Sequence, residues 1–477
     1  MRFDAPGRFR SIEALRARLA EIDPSFRADD AVTPRGPLAR PLTLFGRKLA
    51  NRFACHPMEG WDATEDGRPS DLTQRRWRRF GESGAALVWG GEAYAVRRDG
   101  RANPNQLCME TDSDPARSLA ALCAALRVGA AMRGDDPEAQ VVGLQLTHSG
   151  RFARPAGAAA PRTAFRHALL ERKYPHDAAP ALLSDAELET IVAQYLRAAR
   201  LAREVGFDFV DLKCCHGYLL HELLAARTRS GPYGGALANR ARLLLQLIAA
   251  VRSECPGLGI GVRLSLADTI PFERDPQTGI GQPMECAGSY EDGFGVNPNA
   301  PEEFDFTEPF ALLQLLQTAG VEAVNLTLGS PYWNPHLQRP AAYPPSDGYT
   351  PPSDPLTMVF RHIDAARRAK AAFPGLCFIG TGYTYLQEWL GPVAQHEVGA
   401  GHVDLVGLGR MLLSYPDLPR DLLAGITPDR RRLCRTFSDC TTAPRNGMVS
   451  GCFPLDSFYR ERPEAARIKA LRPESRT

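Results

Sequence analysis

The sequence contains no apolar run long enough to cross a bilayer, and its N-terminal stretch MRFDAPGRFRSIEALRARLAEID lacks the apolar core of a signal peptide. Charge of either sign is not in excess either, because the formal net charge is only +2. There is therefore no electrostatic reason to expect nucleic acid or an anionic membrane as a partner. These absences favour an uncleaved cytoplasmic protein.

The sequence also lacks the pattern of a disulfide framework. It has 11 cysteines, an odd number in a chain of 477 residues, and Cys55, Cys214 and Cys377 lie within apolar, strand-like runs. Buried free thiols in a reducing compartment explain these positions better than disulfides do.

What the sequence has is a regular alternation of apolar strand-like runs and helix-period segments. The candidate strands are residues 52–58, 85–93, 141–148, 207–213, 259–264, 323–328, 377–382 and 403–409, with amphipathic stretches such as 185–205, 238–254 and 386–398 between them. Eight such alternations predict an α/β fold, a (β/α)8 TIM barrel of parallel strands. A doubly wound open sheet is the alternative, and the absence of a Gly-rich first turn disfavours it.

Three parts of the chain follow from this pattern. Residues 1–45 are predicted to form an N-terminal helical extension, residues 46–425 the barrel, and residues 426–477 an Arg-rich tail that contains cysteines. Within the barrel, the segments 270–305 and 330–355 are dense in Pro, Gly and Asp. Long loops after barrel strands are usually binding loops or lids, so we expect these two to border the site and set its specificity.

The most informative stretch is residues 206–242. Its apolar strand ends in Lys213, His216 and Tyr218, and a Tyr-Gly-Gly run with a later Asn-Arg pair follows. Strand three carries the run QLTHSGR, which begins at Gln145. Polar side chains at the carboxyl end of a barrel strand are placed where such barrels carry their chemistry.

These motifs resemble those of the Old Yellow Enzyme family of FMN-dependent NADH:flavin oxidoreductases. In that family H-x-x-[HN]-G-Y precedes Y-G-G-S-x-x-N-R-x-R, and strand three reads Q-L-x-H-x-G-R. Here Lys213 stands in place of the first His, and Ala236 in place of the Ser. The resemblance spans roughly residues 40 to 425 and implies non-covalent FMN, with NADH or NADPH and an oxidant using one site in turn.

The resemblance also implies which residues hold the flavin. A Pro-Met turn after strand one and small residues after strand two would approach the ring, Gln145 would meet its pyrimidine edge, and Arg263 would place a positive charge near N1 and C2=O. Glycines and an arginine after strands seven and eight would bind the phosphate. The predicted cofactor-binding residues are Pro57, Met58, Ala93, Gln145, Arg263, Gly382, Gly409 and Arg410.

Three residues are predicted to be catalytic. Tyr218 would protonate the substrate, and His216 and Lys213 would hold the substrate's carbonyl or nitro oxygen. A cation at Lys213 would favour an anionic or strongly electron-withdrawing group, or it would pair with a carboxylate such as Glu59. The roles of Glu59 and of His336 stay open, since either side chain could instead face solvent.

The tail raises the question of a metal cluster. The 2,4-dienoyl-CoA reductase and trimethylamine dehydrogenase branch, which this chain resembles most, carries C-x2-C-x3-C-x11-C for a [4Fe–4S] cluster. Cys440 and Cys452 match the last interval, Cys434 is one residue out of register, and Leu433 and Thr436 occupy the first two positions. Three cysteines favour a cluster remnant over an intact cluster. We also expect the branch's second nucleotide-binding domain to be absent.

The leading functional hypothesis is an ene-reductase, which reduces an activated C=C bond of a small electrophilic substrate by hydride transfer from flavin N5. The first alternative is a flavin-dependent dehydrogenase or demethylase that passes electrons to a partner, and the second is a non-catalytic barrel that serves as a binding subunit. The physiological substrate, the choice between NADH and NADPH, and homo-oligomer formation stay open.

Overall fold

The computed structural model of the chain describes residues 3–176 and 180–472. Its central sheet closes on itself as a barrel of parallel strands, which confirms the predicted fold. The barrel strands are β1 (Phe53–Cys55), β2 (Leu87–Val88, continued by Ala93–Ala95), β3 (Val141–Thr147), β4 (Phe209–Cys214), β5 (Gly259–Ser265), β6 (Ala323–Thr327), β7 (Cys377–Gly380) and β8 (Leu405–Leu408).

The barrel closes because β2 pairs with both β1 and β3, while each later strand pairs with its neighbours up to the contact of β8 with β1. The helices that surround it are α1 (Asp71–Gly81), α2 (Pro115–Met132), α3 (Asp185–Val205), α4 (Arg242–Glu254), α5 (Thr307–Thr318), α6 (Pro355–Ala372) and α7 (Leu390–Gly399). Two short helices, Arg410–Ser414 and Leu418–Leu423, follow β8. The order of elements is therefore that of a (β/α)8 barrel.

Local sequence accounts for the helix ends. At α3, Ser184 and Glu187 form a capping box, and Gly206 ends the helix with a φ of 97°. Both features satisfy backbone groups that a helix leaves unpaired at its ends. The predicted segment 185–205 is confirmed residue for residue, whereas α7 begins at Leu390 because a 3₁₀ turn occupies Tyr383–Trp389.

Strand β2 differs from its prediction as one continuous strand over 85–93. It breaks at Gly90 and Gly91, whose φ angles are 94° and 57°. A Cβ on Gly90 would lie 2.7 Å from Cβ of Gln145, and one on Gly91 would lie 2.2 Å from the Trp77 ring. Glycine is thus required at both positions, and the break brings the carbonyl of Gly91 within 2.8 Å of the Met58 nitrogen, from which it accepts a hydrogen bond.

The amino end of the barrel is closed by a hairpin of Leu42–Leu44 and Arg47–Leu49. At its tip the Phe45 ring stacks on Phe209 of β4 with a centroid distance of 4.3 Å. The hairpin crosses residue 46, which was the predicted start of the barrel. It covers only the amino end of the strands, and the cavity opens at their carboxyl end.

The loops after β5 and β6 have secondary structure of their own. They contain two hairpins and a short helix, and they share a small apolar core that includes Phe272, Tyr290 and Tyr349. The remaining strands are Arg162–Thr163, Ala181–Leu182, Phe272–Arg274, Gly281–Pro283, Val296–Asn297 and Ala300–Phe304. The remaining helices, including 3₁₀ turns, are Pro6–Arg8, Ile12–Ile22, Pro37–Ala39, Arg98–Gly100, Gly150–Phe152, Ala168–Lys173, Leu219–Leu224, Leu237–Arg240, Pro335–Gln338, Asp439–Arg445, Ser457–Arg460 and Glu464–Ala470.

Among the helices within residues 3–176 and 180–472, none combines the length and the apolar character that a bilayer crossing requires.

Candidate active site

A cavity of about 460 Å³ opens at the carboxyl end of the barrel. That volume lies within the range of small-molecule and cofactor sites. The cavity collects the predicted site residues from six strand ends, namely Pro57, Met58, Gln145, Lys213, His216, Tyr218, Arg263, Gly382, Gly409 and Arg410. Ala93 is placed differently: it is 1% exposed, pairs with Gln145 across the sheet, and is not among the described residues that line the cavity.

Lys213 is the last residue but one of β4 and pairs in register with Arg263 of β5. Its ammonium lies 3.1 Å from Glu59 Oε1 and 4.1 Å from the centroid of the Tyr218 ring. Lys213 is thus held between a carboxylate and an aromatic face, and of the two predicted alternatives the structure contains the ion pair.

His216 follows β4 in an unusual backbone conformation, with a φ of 63°. Two serines hold it there, since its nitrogen donates to Ser265 Oγ at 3.0 Å and its carbonyl accepts from Ser330 Oγ at 2.8 Å. The Gln338 amide nitrogen lies 3.3 Å from Nε2 of His216. An amide nitrogen only donates, so the two groups form a hydrogen bond in the neutral tautomer that carries its proton on Nδ1.

Burial and the positive charges of Arg263 and Lys213 hold the pKa of His216 well below its usual value. The imidazole is therefore neutral at pH 7 and can act as a hydrogen-bond donor. The positive φ of His216 is unfavourable for a residue other than glycine, so the surrounding contacts must hold it. Such backbone conformations are common at functional sites.

Tyr218 is 6% exposed and precedes the short helix Leu219–Leu224. Its hydroxyl lies 3.1 Å from the hydroxyl of Tyr332, which comes from the loop after β6. Burial, together with Tyr332 and Glu59, raises the pKa of Tyr218 well above its usual value. Tyr218 therefore keeps its proton at neutral pH and is available as a donor.

Gln145 and Arg263 are linked through Asp211, which is fully buried. The Gln145 amide nitrogen donates to Asp211 Oδ2 at 2.6 Å, and the Arg263 backbone nitrogen donates to Asp211 Oδ1 at 2.7 Å. Burial raises the pKa of this carboxyl to about 6. The arrangement orients the Gln145 amide in the cavity, with its oxygen left to accept a further hydrogen bond.

Several cavity arginines have no carboxylate partner among the described residues: Arg154, Arg263, Arg339 and Arg410. The Arg410 Nη2 donates to the Pro340 carbonyl at 2.8 Å, while its Nη1 is buried without a hydrogen-bond partner, as is Nε of Arg263. Burial and the repulsion of Arg410 and Arg445 lower the pKa of Arg339 to about 9. Neighbouring guanidinium groups in a buried position call for an anion between them.

Two glycines, Gly382 and Gly409, line the cavity beside Arg410. Gly382 has a φ of 99°, and a Cβ on Gly409 would lie 2.9 Å from the Met58 sulfur. The described residues therefore fit a phosphate at this end of the cavity and an anionic ring edge near Arg263.

Sequence reasoning missed several residues of this site. Arg339, Tyr332, Phe152, Tyr174 and His56 line the cavity but lie outside the motifs, mostly in long loops. The sequence does place Arg339 and Tyr332 within the 330–355 segment, which was expected to border the site. The loop conformation that turns them inward has no signature in the sequence.

His336 is placed elsewhere in the same loop. Its Nδ1 lies 2.7 Å from the Tyr349 hydroxyl, and its ring packs at 4.6 Å from that of Phe272. Burial lowers its pKa to about 3. His336 is therefore part of the loop core and is not among the described residues that line the cavity.

The tail reaches the cavity through Cys440. Burial and the thiols of Cys434 and Cys440 raise the pKa of Cys452 well above its usual value, so the three thiols interact electrostatically. Within the described residues, the group of three candidate metal ligands with atoms inside 4.8 Å is His396, Glu397 and His402, and it does not include these cysteines. Glu397 is already paired with Arg367. The cluster remnant in the tail stays a prediction.

Comparison with known proteins places these features in a family. The chain is 30% identical over 241 residues to an NADPH dehydrogenase of Geobacillus sp. (strain WCH70), covering 49% of this chain and 64% of that protein. It is 25% identical over 402 residues to the NADH-dependent flavin oxidoreductase iliE of Neonectria sp. (strain DH2), covering 80% and 46%. The matched part thus spans about half to two thirds of these relatives.

The structure also resembles a 2-naphthoyl-CoA reductase solved with 2-naphthoyl-CoA, with a TM-score of 0.65 and 17% identity over 91% of this chain and 58% of that one. At this identity the likeness concerns the fold. The model of the NADH:flavin oxidoreductase / NADH oxidase family matches residues 37–283, from the N-terminal hairpin to the loop after β5, which is more than half of the chain. The chain therefore belongs to the NADH:flavin oxidoreductase / NADH oxidase family.

Proposed function

We propose that the protein is an FMN-dependent NAD(P)H oxidoreductase that reduces an activated C=C bond of a small electrophilic molecule. The observation that carries the proposal is the convergence, in one cavity, of a protonated phenol, a neutral imidazole and unpaired arginines. These are the groups that a reduction by hydride and proton needs around the substrate and the cofactor.

The flavin would be held at three places. Arg339 and Arg410, with the backbone at Gly382 and Gly409, would bind the phosphate, and their mutual repulsion would be relieved by its charge. Gln145 and Arg263 would meet the pyrimidine edge, and the backbone at Pro57 and Met58 would lie against the ring. Bound there, the flavin would supply the hydride-transfer chemistry between NAD(P)H and the β-carbon of the alkene.

The protein's own residues would supply the rest of the chemistry. The Nδ1–H of His216 would donate to the substrate's carbonyl or nitro oxygen, which stabilises negative charge there as the β-carbon receives hydride. Tyr218 would then give its proton to the α-carbon. Lys213 contributes a positive field next to both groups, reduced by its pairing with Glu59.

The test begins with an absorption spectrum of the purified protein, where paired flavin bands are expected. Anaerobic reduction by NADH or NADPH should bleach these bands, and an alkene conjugated to a carbonyl or nitro group should restore them in a single turnover. Bleaching without recovery on any such alkene would contradict ene-reduction, but it would still support a bound flavin that NAD(P)H reduces. A protein without flavin bands would point to a binding subunit.

A second candidate is a dehydrogenase that oxidises its substrate and exports electrons one at a time. It is favoured by Cys440, which lines the cavity, and by its neighbours Cys434 and Cys452. A thiolate-bound cluster at this position would connect the flavin to a partner. Iron content and low-temperature electron paramagnetic resonance of the reduced protein test this reading, and iron-free protein would contradict it.

A further inference from the structure

Two phenols meet inside the cavity. The Tyr218 hydroxyl lies 3.1 Å from that of Tyr332, and their ring centroids are 6.0 Å apart. Tyr218 is buried beneath the loop after β6, whereas Tyr332 is only half-buried and lines the open cavity. The pair therefore leads from the buried phenol towards solvent.

Contacts on every side fix Tyr332. Its ring stacks on Phe152 with a centroid distance of 3.6 Å and an interplanar angle of 8°. Its backbone carbonyl accepts from Lys173 Nζ at 2.8 Å and from the Tyr174 hydroxyl at 2.6 Å, and its nitrogen donates to Ser330 Oγ at 3.2 Å. The hydroxyl is the one polar group of Tyr332 that these contacts leave for Tyr218.

We propose that Tyr332 is a positioning and relay residue. It donates a hydrogen bond to Tyr218 while Tyr218 protonates the substrate, and Tyr332 then passes its own proton to Tyr218. The proposal rests on the proposed ene-reduction. The O–H bond of Tyr218 breaks as a C–H bond forms at the α-carbon, and the O–H proton of Tyr332 moves to the Tyr218 oxygen. Water reprotonates Tyr332, so the alkene gains one hydride and one proton while NAD(P)H is oxidised.

The charges around the pair favour this direction. Burial, Tyr332 and Glu59 raise the pKa of Tyr218 well above its usual value. Burial and the Glu59 carboxylate also raise the pKa of Tyr332, but the hydrogen bond with Tyr218 and the nearby Arg445 and Arg154 act to lower it. A proton therefore passes readily from Tyr332 to a Tyr218 phenolate.

Lys213 favours the same step. Its ammonium lies 4.1 Å from the centroid of the Tyr218 ring, which gains negative charge when the proton leaves. A cation over an aromatic face stabilises such charge, and the low dielectric of the cavity strengthens the interaction.

A double-mutant cycle tests the proposal. Stopped-flow oxidation of the reduced holoenzyme by an alkene would be measured for Tyr332→Phe, Tyr218→Phe and the double variant. Phe keeps the stacking on Phe152 and removes only the hydroxyl. Losing a hydrogen bond to a charge-bearing group should slow the wild-type reaction roughly 10- to 100-fold. In the Tyr218→Phe background the same change should matter less than about twofold, because Tyr332 acts through Tyr218.

Equal effects of Tyr332→Phe in both backgrounds, or no effect in either, would overturn the relay. These results remain distinct from failure of the proposed function itself, in which the wild-type protein would not be oxidised by alkenes. The matched control is Tyr233→Phe, whose hydroxyl donates to Gln246 Oε1 at 3.1 Å and is not among the described cavity groups.

A second measurement does not depend on turnover. In holoenzyme labelled with [13Cζ]tyrosine, the Tyr218 resonance is the one lost in Tyr218→Phe. Tyr332→Phe should shift this resonance, because it removes the hydroxyl partner at 3.1 Å, whereas Tyr233→Phe should leave it in place. An unshifted Tyr218 resonance would mean that the two hydroxyls are not bonded, and it would also overturn the proposal.

Discussion

The ammonium of Lys213 lies 3.1 Å from the carboxylate of Glu59, across the carboxyl end of the barrel. Lys213 is 5% exposed, and the Glu59 side chain is 19% exposed, so the pair is largely screened from bulk water. Glu59 comes from the loop after β1 and Lys213 from the end of β4, so the pair joins the predicted ring-binding turn to the predicted catalytic strand. A change of charge at either residue therefore acts on both predicted parts of the cavity.

Replacing Lys213 with Met should lower the reduction potential of the bound flavin. Met keeps much of the side-chain volume and removes the charge, which leaves the Glu59 carboxylate unpaired beside the ring and disfavours added electrons. The expected fall is on the order of 30 mV, which is about 1.4 kcal/mol for a two-electron couple. Potentiometric titration against reference dyes measures it.

The companion variant Lys213→Met with Glu59→Gln should return the potential towards that of the wild type, since both members of the pair are then neutral. A changed acceptor preference at constant potential would instead mean that Lys213 binds the substrate's anionic group and that the ion pair opens in the complex.

Replacing Tyr218 with Phe should slow the oxidation of reduced enzyme by an alkene and leave reduction by NAD(P)H nearly intact. A positioned general acid contributes about 10²–10⁴ in rate, and only the alkene step needs the proton. Rapid-mixing kinetics separate the two half-reactions. Equal losses in both would show that Tyr218 packs the cavity and does not donate a proton.

Replacing Arg410 or Arg339 with Ala should lower flavin occupancy. Each change would remove a charge-assisted contact to phosphate that is worth roughly 1.5–3 kcal/mol. The ratio of flavin to protein absorbance, with a fluorescence titration of released flavin, gives occupancy and affinity. Arg431→Ala is a suitable control, because that side chain is 90% exposed and pairs with Asp429 on the surface.

The same experiment identifies the cofactor. Heat should release FMN, because the predicted phosphate site lies beside Arg339 and Arg410. Recovery of FAD by chromatography would contradict that assignment, and unchanged occupancy in both arginine variants would place the phosphate elsewhere.

The barrel could be predicted from the sequence because its signals are local. Each strand is a short apolar run, and α3 has both a capping box and a C-terminal glycine. The strand-end residues of the site could be predicted for the same reason, since the end of a strand fixes where Lys213 and Arg263 lie. The break in β2 could not, because it depends on how closely Gln145 and Trp77 pack against two glycines.

Residues from the loops were harder to predict. Arg339 and Tyr332 reach the cavity only because the loop after β6 folds back, where Arg410 bonds the Pro340 carbonyl and Lys173 bonds the Tyr332 carbonyl. Such contacts join residues far apart in sequence, and no periodic pattern encodes them.

The last prediction concerns stability, and it follows from His167. This residue caps the helix Ala168–Lys173, because its Nδ1 accepts from the Leu170 nitrogen at 3.3 Å, and its Nε2 lies 3.2 Å from the Tyr290 hydroxyl. Burial, with the nearby charge of Arg151, lowers its pKa from 6.5 to about 3. The folded protein therefore keeps His167 neutral in a range where the unfolded chain binds a proton.

Because the folded pKa is the lower one, the contribution of His167 to stability is present above pH 6.5 and is lost as the pH falls towards 3. Between pH 7 and pH 5 the loss should be about 2 kcal/mol in the free energy of unfolding. His167→Asn keeps a side chain suited to the cap and removes the titrating group. Urea unfolding followed by circular dichroism at the two pH values should therefore show a smaller loss of stability on acidification for the variant, by about that amount. The same loss in both proteins would mean that His167 already carries a proton in the folded state, with Asp292, whose Oδ2 lies 3.9 Å from Nδ1, as its counter-charge.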